Sequence, residues 1–370
     1  MANPGAPHPI LLAAGGTGGH LFPAFALAEE LTRRGQIVDL VTDERGDRYG
    51  TNFPGRAIHQ VPSATLASRS VIGVASTAST LGRGVVRALL LLRRLRPCVV
   101  IGFGGYPTFP PLAAARLARI PTIIHEQNAI MGRANRSLVR HVTALAASWE
   151  GTANVPAEAR EKVHVTGNPI RDAVIAASGR AYPALGPSDP FGLVVFGGSQ
   201  GARYFSDTVP PALLALPEPT RRRLGVTQQC REEDMERVRA AYTQAGIAAN
   251  LAPFFADLPE RMAKGHLVIA RAGASSVAEL AVLGRPSILV PLPHSLDNDQ
   301  LINARRLAEV GGAWCIEQKD LTPARLATEI VALIDSPGRL AAAAGAAKAA
   351  GKPQAVRLLA DLVEQLAGAG

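Results

Sequence analysis

The sequence predicts an α/β protein built from two doubly wound parallel sheets, each with helices on both faces. Three observations carry this. Short apolar runs that read as buried strands alternate with segments whose apolar residues recur at helical spacing. No hairpin signal joins consecutive strands, so crossovers must link them and the strands must run parallel. The alternation also starts twice, at "ILLAAGGTGGH" and "GLVVFGGSQGA", each an apolar strand running into a Gly-Gly-x-x-Gly turn.

In the first half, Ile10 to Ala14 read as a buried strand, and Leu21, Ala24, Phe25, Ala28 and Leu31 as the buried stripe of the helix after it. "IVDLVT", "CVVIGFGG", "PTIIHE" and "VTALAAS" follow as strands, and "VHVTGNPIRD" closes the half. "SGRAYPALGPSDP" is rich in Gly, Pro and Ser and reads as a linker. The second half restarts at "FGLVVFGGSQGARYF" and continues through "RLGVTQQC", "HLVIARAG" and "PSILVPL". The expected division is an N-terminal domain over 1–175, a linker over 176–188 and a C-terminal domain over 189–340. Residues 341–370 are expected to form helices able to pack back on the first domain.

The chain has 370 residues, enough for two domains, and is 47% hydrophobic, so each can bury a core. Its three cysteines are far apart and form no C-x-x-C, which argues against a disulfide framework or a zinc site. The N-terminal segment has no basic region ahead of a long apolar run, so no signal peptide is expected, and no apolar run is long enough for a transmembrane helix. The net charge of +9 is uneven: residues 1–170 hold 18 Lys and Arg against 10 Asp and Glu, the remainder 21 against 20. No acidic residue occurs between Asp47 and Glu126, where ten arginines do. Within that window Val71, Ile72, Val74 and Leu81 lie among Arg69, Arg83, Arg87, Arg93 and Arg94, a pattern suited to an anionic membrane surface. Nucleic acid is not expected as a partner, because aromatic residues are only 5% of the chain and none interleave with these arginines.

The first glycine loop is neither a P-loop nor a dinucleotide fingerprint. The former needs Lys and Ser or Thr after its last glycine, where His20 and Leu21 stand; the latter fails at Leu21. The physics is shared: glycines let a helix N-terminus approach an anion, and its free N–H groups favour phosphate. "GGSQGARYF" offers Ser199 at a second such turn, either as a diphosphate contact or as a helix cap. In "ARAGASSVAEL" small residues precede Glu279, which can take ribose hydroxyls or simply face solvent. Asp297 and Asp299 form a D-x-D, but Asp299 falls at a helix start where capping accounts for an acid, and no metal is expected. "HEQN", residues 125–128, places four polar side chains past a strand end, a pattern that suggests ligand contact.

"GGTGGHLFPAFALAEEL", "GFGGYPTFP", "HEQNAIMGRANR", "GNPIR", "FGGSQGA", "RAGASSVAEL" and "DNDQLINA" together resemble, in content and order, the MurG family. These bacterial N-acetylglucosaminyltransferases convert lipid I to lipid II in peptidoglycan synthesis. The resemblance runs from about residue 10 to about residue 335. It implies a GT-B fold, two Rossmann-like domains facing a cleft. It implies transfer of N-acetylglucosamine from UDP-GlcNAc to the C4 hydroxyl of the muramyl sugar on undecaprenyl diphosphate, with inversion and without a cofactor. By motif, Ser199 contacts the donor phosphate and the backbone of Phe255 in "PFFADL" reads the uracil. Ala274, Ser275, Ser276, Val277, Ala278 and Glu279 wrap the nucleotide, with Glu279 on the ribose, and Gln300 binds the sugar. Thr17, Gly18, Gly19, Asn128 and Arg171 line the cleft from the other domain, with the glycine loop on the acceptor's diphosphate. Asp299 stands where many members carry Gln, and Ala272 where Ser is frequent.

An inverting displacement needs a base for the hydroxyl proton, and His20 beside the glycine loop is the expected one, with Glu126 or a water as the alternatives. The expected location is peripheral, on the cytoplasmic face of the bacterial inner membrane. Two other classes fit the two-domain shape: a UDP-GlcNAc epimerase, which has no use for a basic, apolar face, and a membrane-associated binding protein without activity.

Overall fold

The computed structural model describes residues 8–15, 18–43, 53–63, 71–198 and 203–368, with the side chains of 71–76 outside the description. It divides into two compact units, Met1–Arg171 with Gln354–Gly370, and Asp172–Pro353.

The first unit holds a seven-stranded, wholly parallel sheet of β1 (Ile10–Ala13), β2 (Val38–Thr42), β3 (Ala57–Gln60), β4 (Val99–Gly102), β5 (Thr122–Glu126), β6 (Ala144–Ala147) and β7 (Val163–Val165). The spatial order is β3-β2-β1-β4-β5-β6-β7. Its helices are α1 (Gly18–Arg33), α2 (Val71–Leu95), α3 (Phe109–Leu117) and α4 (Arg133–Leu138). β1 is buried on both sides, as the crossover rule requires. Ile10 and Leu12 join one core with Leu21, Leu27 and Leu31 of α1; Leu11 and Ala13 join the other with Ala88 and Leu92 of α2.

The second unit holds a six-stranded parallel sheet in the order β10-β9-β8-β11-β12-β13. Its strands are β8 (Phe191–Phe196), β9 (Leu224–Gln229), β10 (Ala248–Ala252), β11 (Leu267–Ala270), β12 (Ser287–Leu289) and β13 (Ala313–Cys315). Around it lie α5 (Asp172–Ala177), α6 (Arg203–Leu214), α7 (Glu218–Arg222), α8 (Met235–Gln244), α9 (Leu258–Lys264), α10 (Ala274–Leu283), α11 (Asp299–Glu309), α12 (Pro323–Ile334) and α13 (Pro337–Ala350).

The Gly/Pro-rich segment after Arg171 is packed onto the second unit. Tyr182 and Leu185 pack against its core, and the Tyr182 hydroxyl donates to the carbonyl of His266 at 2.9 Å. Arg285 is only 1% exposed. Its guanidinium donates to the carbonyls of Ala263, Leu283 and Gly284 and to those of Arg180 and Ala181, so one side chain ties the ends of α9 and α10 to this segment. α13 stays with the second unit, and only the chain from Gln354 onward belongs with the first.

α14 (Ala355–Gly368) therefore completes the first unit, where Leu359, Ala360, Leu362 and Val363 enter the core beside α1. Arg34 fastens it, donating to Glu30 at 2.9 Å and to Asp361 and Glu364 at 2.7 Å each, while Gln36 donates to Glu364 at 3.0 Å. Among the described residues no single helix is long and apolar enough to cross a membrane.

Candidate active site

In an open parallel sheet a ligand sits past the carboxyl ends of the strands, where the strand order reverses. The first unit reverses between β1 and β4, the second between β8 and β11. These are the strands that the glycine turns follow.

At the first reversal, His20 lies in the opening turn of α1, two residues after Gly18. The turn after β4 runs against its imidazole. Gly104 and Gly105 have φ of 91° and 76°, where side chains are strained. A Cβ on Gly104 would lie 3.2 Å from His20 Cε1, and one on Gly105 3.3 Å from His20 Cδ2. Both glycines thus serve close approach as well as backbone conformation. The guanidinium of Arg171 sits 5.4 Å from the centroid of the Phe22 ring, and that ring packs on Gly18. A cation is thereby held near the N-terminal turn of a sixteen-residue helix, whose free amides already favour an anion.

Past β5, three of the four "HEQN" side chains are buried. His125 donates from Nε2 to the Gly167 carbonyl at 3.0 Å and accepts at Nδ1 from Gln127 Nε2 at 3.1 Å, which fixes its neutral tautomer. Burial, with the nearby His20 adding to it, pushes the His125 pKa down to about 4. Gln127 also donates to the Phe103 carbonyl at 2.8 Å, joining the ends of β4 and β5. Glu126 accepts four bonds: from the amide and Nδ2 of Asn128 at 3.0 and 3.3 Å, from the Gly132 amide at 3.0 Å and from Asn135 Nδ2 at 2.7 Å. Burial raises its pKa against the pull of those donors. The polar run that suggested ligand contact is therefore largely an internal brace, and Asn128 is its half-buried member.

At the second reversal, Gly197 and Gly198 follow β8, and the Gly197 amide donates to Gln229 Oε1 at 3.2 Å. Gln229 Nε2 in turn donates to the Pro253 carbonyl at 3.1 Å, tying this turn to the segment that carries Phe255. Phe255 is 8% exposed and its ring lies 4.4 Å from the Arg261 guanidinium. β11 passes through Arg271, Ala272 and Gly273 into α10, whose first turn carries Ala274, Ser275 and Ser276. Val277, Ala278 and Glu279 follow, and Glu279 is buried at 6% exposure, not a solvent-facing helical glutamate. Gln300 Oε1 accepts from the amides of Ala272 at 3.3 Å and Leu292 at 3.0 Å, which leaves the donor end of its amide as the one a ligand can take. Asp299 Oδ1 accepts from the adjacent Gln300 amide at 2.7 Å, but Asp299 is the first residue of α11 and the cap position expected for it belongs to Asn298.

Thr17 and Ser199 lie outside the described residues. Gly18, Gly19, His20, Asn128 and Arg171 fall in the first unit around its reversal; Phe255, Ala274 to Glu279 and Gln300 fall in the second around its own. Sequence reasoning passed over Asn135, Gln229 and Asn303. Asn135 shares the Gly104 contact with His20, at 3.4 Å from the same Cβ position, and Asn303 donates to the Ala272 carbonyl at 3.2 Å. They are buried amides inside α4, β9 and α11, and spacing alone does not separate a buried amide there from a surface one. Among the described residues no group of three or more His, Cys, Asp or Glu side chains is placed to share a metal ion.

Residues 10–147 match the glycosyltransferase family 28 N-terminal domain, and residues 192–359 the glycosyltransferase family 28 C-terminal domain. Two relatives are each named UDP-N-acetylglucosamine--N-acetylmuramyl-(pentapeptide) pyrophosphoryl-undecaprenol N-acetylglucosamine transferase. That of Methylobacterium sp. (strain 4-46) is 54% identical over 359 residues, covering 97% of this chain and 96% of the relative. That of Allorhizobium ampelinum is 52% identical over 358 residues, covering 97% and 95%. The crystal structure of Acinetobacter baumannii MurG superposes with a TM-score of 0.79 at 28% identity, covering 97% of this chain and all of that one. A UDP-GlcNAc 2-epimerase from Neisseria meningitidis, bound to UDP-GlcNAc, shares the fold with a TM-score of 0.67 at 15% identity, covering 96% of this chain and 100% of that one.

Proposed function

This chain belongs to glycosyltransferase family 28, with the GT-B fold, and on that premise we propose how its two reversal points divide the reaction. The enzyme is a UDP-GlcNAc-dependent N-acetylglucosaminyltransferase that glycosylates the muramyl sugar of undecaprenyl-diphosphate-linked muramyl-pentapeptide, making lipid II and UDP. The relatives' shared name, over nearly the whole chain, supports this and not the epimerase reading.

The second unit takes the donor. Amides at the turn after β8 and at the start of α10 meet the UDP phosphates, Glu279 the ribose, and the amide NH2 of Gln300 the sugar. The first unit takes the acceptor. Its diphosphate lies against the N-terminal turn of α1, with Arg171 supplying a countercharge. His20 receives the C4 hydroxyl proton as that oxygen displaces UDP from the anomeric carbon. The observation that carries this assignment is the packing of two left-handed glycines on the imidazole: it holds His20 in the opening turn of α1, which the acceptor meets. Glu126 is the poorer base, since four donors occupy its carboxylate.

The test is His20→Ala, which should lower kcat by about 10²–10⁴ with UDP affinity unchanged and abolish the acidic limb of the pH–rate profile. A near-normal kcat would remove His20 from the proton's path.

The acceptor's lipid places the reaction at a membrane, and α2 is the face we assign to it. Val86 and Leu90 are each 59% exposed there among the exposed Arg83, Arg87, Arg93 and Arg94. Arg69 lies outside the described residues, as do the side chains of Val71, Ile72 and Val74. Attachment is peripheral, on the cytoplasmic leaflet, at about 1 kcal/mol per arginine near anionic lipid. Arg83, Arg87 and Arg94 changed together to Glu should abolish the preference for anionic over zwitterionic vesicles and spare transfer to a short-chain acceptor. Binding indifferent to lipid charge would move the membrane face elsewhere.

A further inference from the structure

At the far end of α10 from the donor turn, the second unit carries a groove of about 670 Å³. Ten helical residues separate the two ends, about 15 Å, so the groove is a distinct place. Its walls are the segment from Ser178 to Leu185, the end of α10, and one face of α13 from Pro337 to Lys348. Three cations line it, Arg180, Arg285 and Lys348, and no acidic side chain does.

We propose that this groove is an anion site that takes a phosphate group, free or carried on a lipid headgroup, between Arg180, Lys348 and the first turn of α13. The donors that remain decide where the phosphate goes. Arg285 spends its guanidinium on backbone carbonyls, so it supplies charge but no bond to a ligand. Lys348 donates to the carbonyls of Ser178 and Val282 at 2.7 Å each, and an ammonium has three N–H groups, which leaves one. The Arg180 side chain is exposed at the rim. Gly338 lies in the opening turn of the fourteen-residue α13; Pro337 has no N–H and the amides of Arg339 and Leu340 donate to the Ser336 carbonyl, so the Gly338 amide is the one this turn offers a ligand.

Space and charge agree with this. A Cβ at Gly338 or at Gly345 would meet nothing within 4 Å, so the helix face is open at two levels. Carbonyl caps carry only partial charge, and the cluster holds three formal positive charges without a carboxylate among its lining residues. Burial and the Arg285 guanidinium hold the Lys348 ammonium below its ordinary value, the state of a cation still lacking a counterion.

The experiment uses the full chain, labelled with ¹⁵N-glycine and saturated with UDP to fill the donor site, and titrates inorganic pyrophosphate. The amide resonances of Gly338 and Gly345 should shift and saturate. Gly345→Glu keeps every carbonyl cap, improves helix propensity and sets a carboxylate in the groove; it should weaken pyrophosphate at Gly338 by about tenfold or more, while Gly345→Gln does not. Lys348→Gln should weaken it similarly. Glycerol phosphate and monomeric dihexanoyl phosphatidylglycerol are then compared: tighter binding of the lipid assigns the phosphate to a membrane, equal binding to a soluble ligand. Glycine resonances unmoved by pyrophosphate, or moved equally in Gly345→Glu, overturn the proposal.

Discussion

Glu126 separates a catalytic carboxylate from a structural one, and its geometry says what each substitution does. In Glu126→Ala the four donors lose their acceptor at once. Asn128 Nδ2 and Asn135 Nδ2 can turn elsewhere, but the amides of Asn128 and Gly132 are fixed by the backbone and stay behind. A buried donor left without an acceptor costs about 1–3 kcal/mol, so two cost about 2–6 kcal/mol. In a unit of this size that lowers its melting temperature by roughly 4–24 °C. Glu126→Gln is gentler and asymmetric: its oxygen can serve one pair of donors, but its NH2 then faces the other pair. It should fall between wild type and Ala in stability and retain measurable transfer. The sign of the pH effect is also fixed. Burial raises this carboxyl's pKa in the fold, so its contribution is fully present below the unfolded value and is lost as pH rises through the folded one. The assay is thermal unfolding of wild type and both variants at several pH values, beside steady-state transfer. Wild-type stability in Glu126→Ala would refute the brace. Wild-type stability with complete loss of transfer in Glu126→Gln would make Glu126 the base.

His125 has the opposite sign: neutral in the fold to about pH 4, it contributes stability that is complete above about 6.5 and is lost on acidification, about 3 kcal/mol in all, so His125→Gln should flatten the fall in melting temperature between pH 7 and 4.5. Gly104→Ala must adopt φ near 91° and press on His20 Cε1; kcat should fall by about 10–10², with the UDP-GlcNAc KM unchanged, and a rise in donor KM alone would contradict the placement. Glu279→Ala should raise the donor KM roughly ten- to a hundredfold and the acceptor KM little, as initial rates against each substrate will tell. Transfer should persist in excess chelator, because helix termini and Arg171 are assigned the phosphate charge; loss restored by magnesium would return Asp297 and Asp299 to consideration as ligands.

The strands that the sequence announced are those buried on both faces. "ILLA", "VVIG", "TIIHE", "FGLVVF" and "LVIA" are apolar at nearly every position because each lies inside its sheet. Three strands escaped notice, β3, β10 and β13, and all three are edges. "AIHQ" and "AANLA" are half exposed, and "AWC" is three residues long, so none carries a run that periodicity can detect. β7, also an edge, was legible as the short run "VHV" that closes the first half. At the site, the glycine turns and the start of α10 could be read because a strand-to-helix turn has a local signature. That Glu126 braces a loop could not, since its partners at Gly132 and Asn135 are set by how α4 folds back. The segment from Ser178 to Pro190 reads as a linker from its composition, and in the fold it follows a packed course held by Tyr182 and Arg285, which composition alone does not reveal.

The return of α14 makes the first unit discontinuous, and that orders events during synthesis. The second unit, Asp172–Pro353, is one uninterrupted stretch whose residues are all made before α14. The first unit has its sheet early but lacks its last helix until roughly 180 further residues are made, on the order of 10–40 s at bacterial rates. For that interval the apolar surface that Leu359, Leu362 and Val363 later cover stays open beside α1. A chain cut before Gln354 therefore has every residue of its second unit and a first unit with a sticky flank, which is the state that chaperones would engage.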